Sequence, residues 1–73
     1  MKLITVAVVG QYYEAHLLKT LLEEEGIQVF LRNEAIAQVY ANMLGGIDIQ
    51  VPDVDAEKAT NWIIENGYTS CLP

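Results

Sequence analysis

One stretch, residues 45–57, constrains the fold more than any other part of the chain. After two glycines, apolar and polar side chains alternate from residue 47 to residue 51, which is the period of a strand that is buried on one face. The apolar side carries Ile47, Ile49 and Val51, and the other side carries Asp48 and Gln50. Pro52 has no amide hydrogen to donate to a neighbouring strand, so we expect the strand to end there.

Three acidic residues, Asp53, Asp55 and Glu57, come directly after this strand. Aspartate side chains accept hydrogen bonds from the free amides at the start of a helix, and negative charge suits the positive end of the helix dipole. A cation site is the alternative, but Ca²⁺ and Mg²⁺ need more oxygen ligands than this spacing offers. We therefore predict a helix over residues 53–66 that ends at Gly67, and no metal site.

The first half of the chain has the pattern of a strand, a helix and a second strand. Residues 2–9 are rich in β-branched side chains, residues 12–25 have helical spacing and end before Gly26, and residues 27–31 form a short apolar run. Strict alternation in the first strand would place Leu3, Thr5, Ala7 and Val9 on one face, and Ile4, Val6 and Val8 on the other. Both faces are largely apolar, which is typical of a strand that is covered on both faces or meets a partner.

The connection between the second and third strands is the least regular part of the chain. Arg32, Asn33 and Glu34 form a polar turn, and apolar residues at helical spacing follow over residues 35–44. We expect one or two helical turns there. The connection is longer than an ordinary hairpin loop, and such connections are often functional.

The order of these elements predicts one α+β domain over residues 1–73, a ferredoxin-like sandwich with the order β-α-β-(short helix)-β-α-(β). A right-handed crossover with the third strand between the first two gives an antiparallel sheet with two helices on one face. Residues 68–73 either add a final strand beside the first one or trail. The opposite face of the sheet would show Asp48, Gln50 and one apolar side of the first strand, so it is a candidate surface for a homodimer or a protein partner.

Charge and composition exclude several classes of partner. Ten acidic and four basic residues give a net charge of −6, which repels a phosphate backbone, so we do not expect a nucleic-acid partner. The longest uncharged apolar run, residues 3–9, is far shorter than the roughly 20 residues that span a bilayer, and no signal-peptide pattern is present. A single cysteine excludes an internal disulfide and favours a reducing compartment. We therefore expect a cytoplasmic protein that does not engage membranes.

The chemistry-bearing residues are scattered, and we predict no enzyme activity. Nucleophilic catalysis needs a nucleophile, a base and an orienting group in contact, whereas His16 lies in the first helix and Ser70 and Cys71 lie in the tail. We interpret His16 as a residue at the border of the core, with a ligand or pH-sensing role as the alternative. Cys71 is expected to be a solvent-exposed thiol without function. The three glutamates at 23–25 are either a solvated face or a docking patch for a basic partner.

Five short motifs, spread over nearly the whole chain, resemble those of a known family. They are Glu14-Ala15-His16-Leu17-Leu18-Lys19, Leu22-Glu23-Glu24-Glu25-Gly26-Ile27, Gly45-Gly46-Ile47, Gln50-Val51-Pro52 and Asp55-Ala56-Glu57-Lys58-Ala59. With these motifs the chain resembles the small bacterial domain of unknown function labelled putative prokaryotic signal transducing protein. The resemblance implies a signalling role by analogy with the PII nitrogen-regulatory proteins, which share a ferredoxin-like core. The long basic elements with which PII proteins bind nucleotide are missing here, so we expect neither ATP binding nor a cofactor.

The first candidate function is a small regulatory or protein-interaction module, which fits a putative signal-transducing role. Its partner contacts would lie on the exposed face of the sheet or in the connection over residues 32–46. Within the connection, Tyr40 and Met43 are the candidate contact residues.

The alternative is a small-molecule sensor whose metabolite lies between the connection and the sheet. Arg32, Asn33 and the amides of Gly45 and Gly46 would be available to an anionic group, because glycine allows close approach to the backbone. The glycine pair precedes a strand rather than a helix, however, so no helix dipole assists phosphate binding there. A simple turn into the strand is the other interpretation of these two glycines.

Overall fold

The structure, a computed structural model, describes residues 2–32 and 46–73. These residues form three strands and two helices. In chain order the elements are β1 (Leu3–Val9), α1 (Tyr12–Glu24), β2 (Phe30–Arg32), β3 (Ile47–Pro52) and α2 (Ala56–Glu65). Turns of 3₁₀ helix precede and follow α2, at Asp53–Asp55 and Thr69–Cys71. The short helix expected over residues 35–44 lies outside the described residues.

The three strands form one antiparallel sheet in the order β1-β3-β2. The third strand therefore lies between the first two, as the sequence predicts. Together with the two helices, this topology is α+β and compatible with a ferredoxin-like fold.

A single apolar core lies between one face of the sheet and both helices. The strand β3 contributes Ile47, Ile49 and Val51, all of them fully buried. The helices contribute Ala15, Leu18 and Leu22 from α1 and Ala59 and Ile63 from α2, all of them buried in the core. Because the three β3 side chains point to one face, both helices cover that same face. Burying one leucine or isoleucine side chain stabilises the fold by about 1.5–3 kcal/mol.

Strand β1 contains a β-bulge that changes which of its side chains face the core. Thr5 is opposite Gln50 and Ala7 is opposite Ile49, which leaves Val6 as an extra residue. Val6 and Ala7 are both buried, as expected where two residues of one strand oppose a single residue of the next. The strict alternation expected for β1 is therefore wrong. The core face carries Ile4, Val6, Ala7 and Val9, and the opposite face carries Thr5 and Val8.

The start of β2 and the fold of the C-terminal residues also differ from expectation, because backbone groups there form local hydrogen bonds instead of pairing with a strand. The amide of Ile27 donates to the carbonyl of Leu22 at 3.2 Å, which closes α1, so β2 begins only at Phe30 and extends to Arg32. In the tail, the amide of Cys71 donates to the carbonyl of Tyr68 at 2.9 Å. Residues 69–71 consequently form a 3₁₀ turn rather than a final strand.

The C-terminal ends of the helices agree well with the sequence pattern. Helix α1 is followed by Gly26 and α2 by Gly67, both with positive φ. The start of α2 differs from expectation. Asp53 lies in the preceding 3₁₀ turn, where its Oδ1 accepts a hydrogen bond from the adjacent amide of Val54 at 2.9 Å, and Asp55, the residue before α2, makes no side-chain cap hydrogen bond. No helix in the described ranges is long and apolar enough to cross a membrane.

Candidate functional site

The sheet face opposite the helices carries two rows of side chains that cross all three strands. Residues directly opposite each other on neighbouring strands share a face. The register therefore gives one row of Thr5, Gln50 and Phe30, and a second row of Val8, Asp48 and Arg32. We call these six residues the outer sheet face.

Polar contacts connect the strands across the outer sheet face. Gln50 Nε2 donates a hydrogen bond to Thr5 Oγ1 at 3.1 Å. Arg32 Nη1 lies 3.8 Å from Asp48 Oδ2, with side chains 65% and 22% exposed respectively. An ion pair this exposed contributes less than about 1 kcal/mol, so the guanidinium remains available to another group. Val8 and Phe30 are half-buried and give the two rows an apolar component.

The structure describes two of the six site residues predicted from the sequence, Arg32 and Gly46. Arg32 ends β2 opposite Asp48, and Gly46 immediately precedes β3. Both therefore lie at the same end of the sheet. Asn33, Tyr40, Met43 and Gly45 lie outside the described residues, so their proposed contacts remain predictions.

Gly46 is required by the packing of the sheet itself. Its φ is +104°, and a Cβ at this position would lie 2.6 Å from the carbonyl oxygen of Val9. Only glycine fits so close to the backbone of β1 in this conformation. This approach accounts for the glycine without a ligand.

His16 and Cys71 each contact a different residue and do not form a common site. The half-buried His16 ring lies against Tyr12, with centroids 4.5 Å apart, which agrees with a residue at the border of the core. Cys71 is 7% exposed, so the expectation of a solvent-exposed thiol is wrong. The 3₁₀ turn places Cys71 Sγ 3.5 Å from Glu14 Oε1, to which it donates.

The surroundings of Cys71 raise the pKa of its thiol. Burial is the main cause, and the hydrogen bond to Glu14 and the charge of that carboxylate act in the same direction. This residue stands apart from any ligand set, since no three histidine, cysteine, aspartate or glutamate side chains are grouped to hold a metal in the described ranges.

A groove on the helical side of the molecule was not predicted from the sequence. It lies between the end of α1 and one side of α2 and has a volume of about 560 Å³. Among the residues lining it are Glu25, Ile27, Val54, Lys58 and Trp62. The spacing by four residues of 57, 61 and 65, and of 58 and 62, is the signal that could have revealed shared helical rows on α2.

The chain is similar to a known protein family. A family model described as "Putative prokaryotic signal transducing protein" matches residues 3–67. No curated protein and no solved structure matches the chain.

Proposed function

The chain belongs to the family described as putative prokaryotic signal transducing protein, and from this premise we propose that it is a non-catalytic protein-interaction module in signal transduction. The outer sheet face is the proposed contact surface. The connection over residues 32–46 is its proposed extension, because both ends of this connection leave from the same end of the sheet, at Arg32 and Gly46.

The arrangement of the outer sheet face is the observation that supports this proposal. Its side chains project from three hydrogen-bonded strands, and the hydrogen bond between Gln50 and Thr5 further restrains these two side chains. A surface that is ordered before binding loses little conformational entropy when a partner docks. Val8 and Phe30 supply apolar area beside polar groups, which is the mixture found in protein–protein interfaces.

The test is to identify a partner by chemical cross-linking and to measure its affinity with purified components. We expect Val8→Arg and Phe30→Arg to weaken binding by at least about tenfold, equivalent to about 1.4 kcal/mol, because each replaces one of the two apolar side chains of the face by a charged one. Ile64→Arg is the matched control, since Ile64 is 47% exposed on α2. Circular dichroism would verify that each variant folds.

Two results would contradict the outer sheet face as the contact surface. One is unchanged affinity in both outer-face variants, and the other is an equal loss in Ile64→Arg. Replacing Tyr40 and Met43 by charged residues tests the connection separately. Sedimentation of the isolated protein over a range of concentrations would show whether the partner is a second copy of the chain.

A metabolite sensor is the second candidate, and it is favoured by the exposed guanidinium of Arg32 at the same end of the sheet as Gly46. A thermal-shift screen against organic acids, amino acids and nucleotides would test it. A ligand at 100 times its Kd adds about 2.7 kcal/mol to the free energy of unfolding. We expect Arg32→Gln to abolish such a shift, and a flat panel would reject this candidate.

A further inference from the structure

The groove on the helical side is a second surface, separate from the outer sheet face. It lies where α1 ends and α2 begins, and Ile27, which precedes β2, forms part of its wall. The connection over residues 32–46 joins β2 and β3 at the other end of the sheet, where Arg32 lies opposite Asp48. A ligand in the groove would therefore bind independently of Arg32 and Gly46.

Two rows of side chains, each spaced by four residues, run along the groove. Residues at this spacing lie one above another on a helix. On α2, one row holds Lys58 and Trp62, and the other holds Glu57, Asn61 and Glu65, while Val54 lies in the 3₁₀ turn before the helix. The eight-residue separation between Glu57 and Glu65 corresponds to about 12 Å along the helix.

The lining of the groove is mixed, and Trp62 provides its main apolar surface. The Trp62 ring is half-buried and stacks on Tyr68, with centroids 5.9 Å apart and planes at 10°, so the ring is held in place before anything binds. Ile27 is 1% exposed and closes the wall, whereas Val54 is 85% exposed. An apolar side chain from a partner would find its main apolar contact on the exposed part of Trp62.

The rim of this apolar surface is negatively charged. Three exposed glutamates, Glu25, Glu57 and Glu65, line the groove, and Lys58 is the basic residue among its lining residues. Lys58 Nζ donates a hydrogen bond to the carbonyl oxygen of Glu25 at 2.9 Å, so its ammonium group is engaged at the end of α1. A cationic partner therefore meets carboxylates, and the net charge of −6 attracts it from a distance.

We infer that the groove binds a short basic segment of a partner protein in which an apolar residue lies between two lysines or arginines. In an extended peptide, residues i, i+2 and i+4 point the same way, and i and i+4 are about 13 Å apart. This spacing matches the distance between Glu57 and Glu65, with the central apolar side chain directed at Trp62. The inference rests on the proposed interaction function and names the chemistry of a partner at a different surface.

The probe is the synthetic peptide acetyl-Ser-Lys-Ser-Leu-Ser-Lys-Ser-amide, titrated into the labelled protein while the indole N–H signal of Trp62 is followed by NMR. We expect saturable shifts with a Kd of about 1 mM or tighter at low salt. The affinity should fall when salt is raised from about 50 mM to about 300 mM, because the contacts are exposed. Replacing the central leucine of the peptide by serine should also weaken binding.

Two double variants with the same change in charge separate the groove from general attraction. Glu57→Gln with Glu65→Gln removes two carboxylates from the groove, and we expect at least about tenfold weaker binding. Glu23→Gln with Glu24→Gln removes two exposed carboxylates that do not line it and should change the affinity much less. Both pairs are on the surface, so the variants should fold.

Three outcomes would overturn the inference. They are the absence of any shift at Trp62, an equal loss of affinity in the two double variants, and equal binding of spermidine, which carries charge without an apolar side chain. Because the probe needs no natural partner and Val8→Arg leaves the groove intact, a failure here is distinguishable from a failure of the outer sheet face.

Discussion

At the scale of the residue, the thiol of Cys71 is held in surroundings that favour its protonated form. The side chain is buried, and it donates to a carboxylate oxygen of Glu14 at 3.5 Å. Both features raise the thiol pKa, since a thiolate would be poorly solvated and would face a negative charge. The folded protein therefore keeps this proton to a higher pH than the unfolded chain does.

This difference predicts a dependence of stability on pH. Below the ordinary thiol pKa of about 8.5, both states hold the proton, and the contribution to stability is fully present. Above that value the unfolded chain loses its proton first, so the free energy of unfolding falls until the pH passes the folded pKa. Urea unfolding from about pH 7 to about pH 9.5 should show a steeper loss for the native protein than for Cys71→Ala. Equal slopes would contradict the prediction.

At the scale of the element, strand β3 is fixed to β1 where the two backbones come closest. Gly46 lies at the start of β3, and no side chain fits between it and the carbonyl of Val9. This contact also sets where the connection over residues 32–46 rejoins the sheet. A change at Gly46 consequently acts on the pairing of both strands.

We expect Gly46→Ala to destabilise the fold by more than about 2 kcal/mol, because a positive φ and a steric overlap both oppose the new Cβ. Gly26→Ala is the matched control. Gly26 also has a positive φ, but nothing lies within 4 Å of its missing Cβ, so we expect a loss of about 1 kcal/mol there. The two losses, compared by urea denaturation, should differ clearly, and a Gly46→Ala cost no larger than that of Gly26→Ala would argue against the close approach.

Sequence patterns predicted the elements well where the pattern had one reading. The alternation in β3 is one-sided and predicted its buried face, and the order of the elements with a right-handed crossover predicted its position between β1 and β2. In β1 both faces are apolar, so the sequence carried no mark of the bulge at Val6. Cys71 belongs to the buried core and contacts Glu14, which is 57 residues earlier in the chain, and no local sequence pattern contains such contacts.

At the scale of the whole molecule, one core is shared by all three strands and both helices. For 73 residues, the usual range of stability is about 4–11 kcal/mol. Because this free energy of unfolding is small and comes from one shared core, we expect the domain to unfold in one cooperative step. Trp62 is the single tryptophan of the chain, and its stack on Tyr68 makes it a reporter of α2.

Urea unfolding followed by Trp62 fluorescence and by far-UV circular dichroism should therefore give coincident transitions. The fluorescence reports on the packing of α2, and the dichroism reports on the backbone of the whole domain. A fluorescence change at clearly lower urea would show that α2 opens separately, which contradicts a single cooperative core.

The outer sheet face could be predicted from the sequence, whereas the groove could not, because the groove depends on tertiary packing. The outer sheet face follows from the alternation of Asp48 and Gln50, so the sequence indicated it. The groove needs the end of α1 beside α2, and Glu25 and Trp62 meet there only through the tertiary packing. No local sequence pattern connects Glu25 with Trp62.

The bulge in β1 also bears on how this protein avoids aggregation. Among the described strands, β1 pairs with β3 alone, so the backbone groups along its second edge have no strand beside them. An even row of such groups is a template on which another chain can add a strand. The extra residue at Val6 interrupts that row. A strand added at this edge would have to change its register at the bulge, which is one of the ways in which natural sheet edges disfavour strand addition.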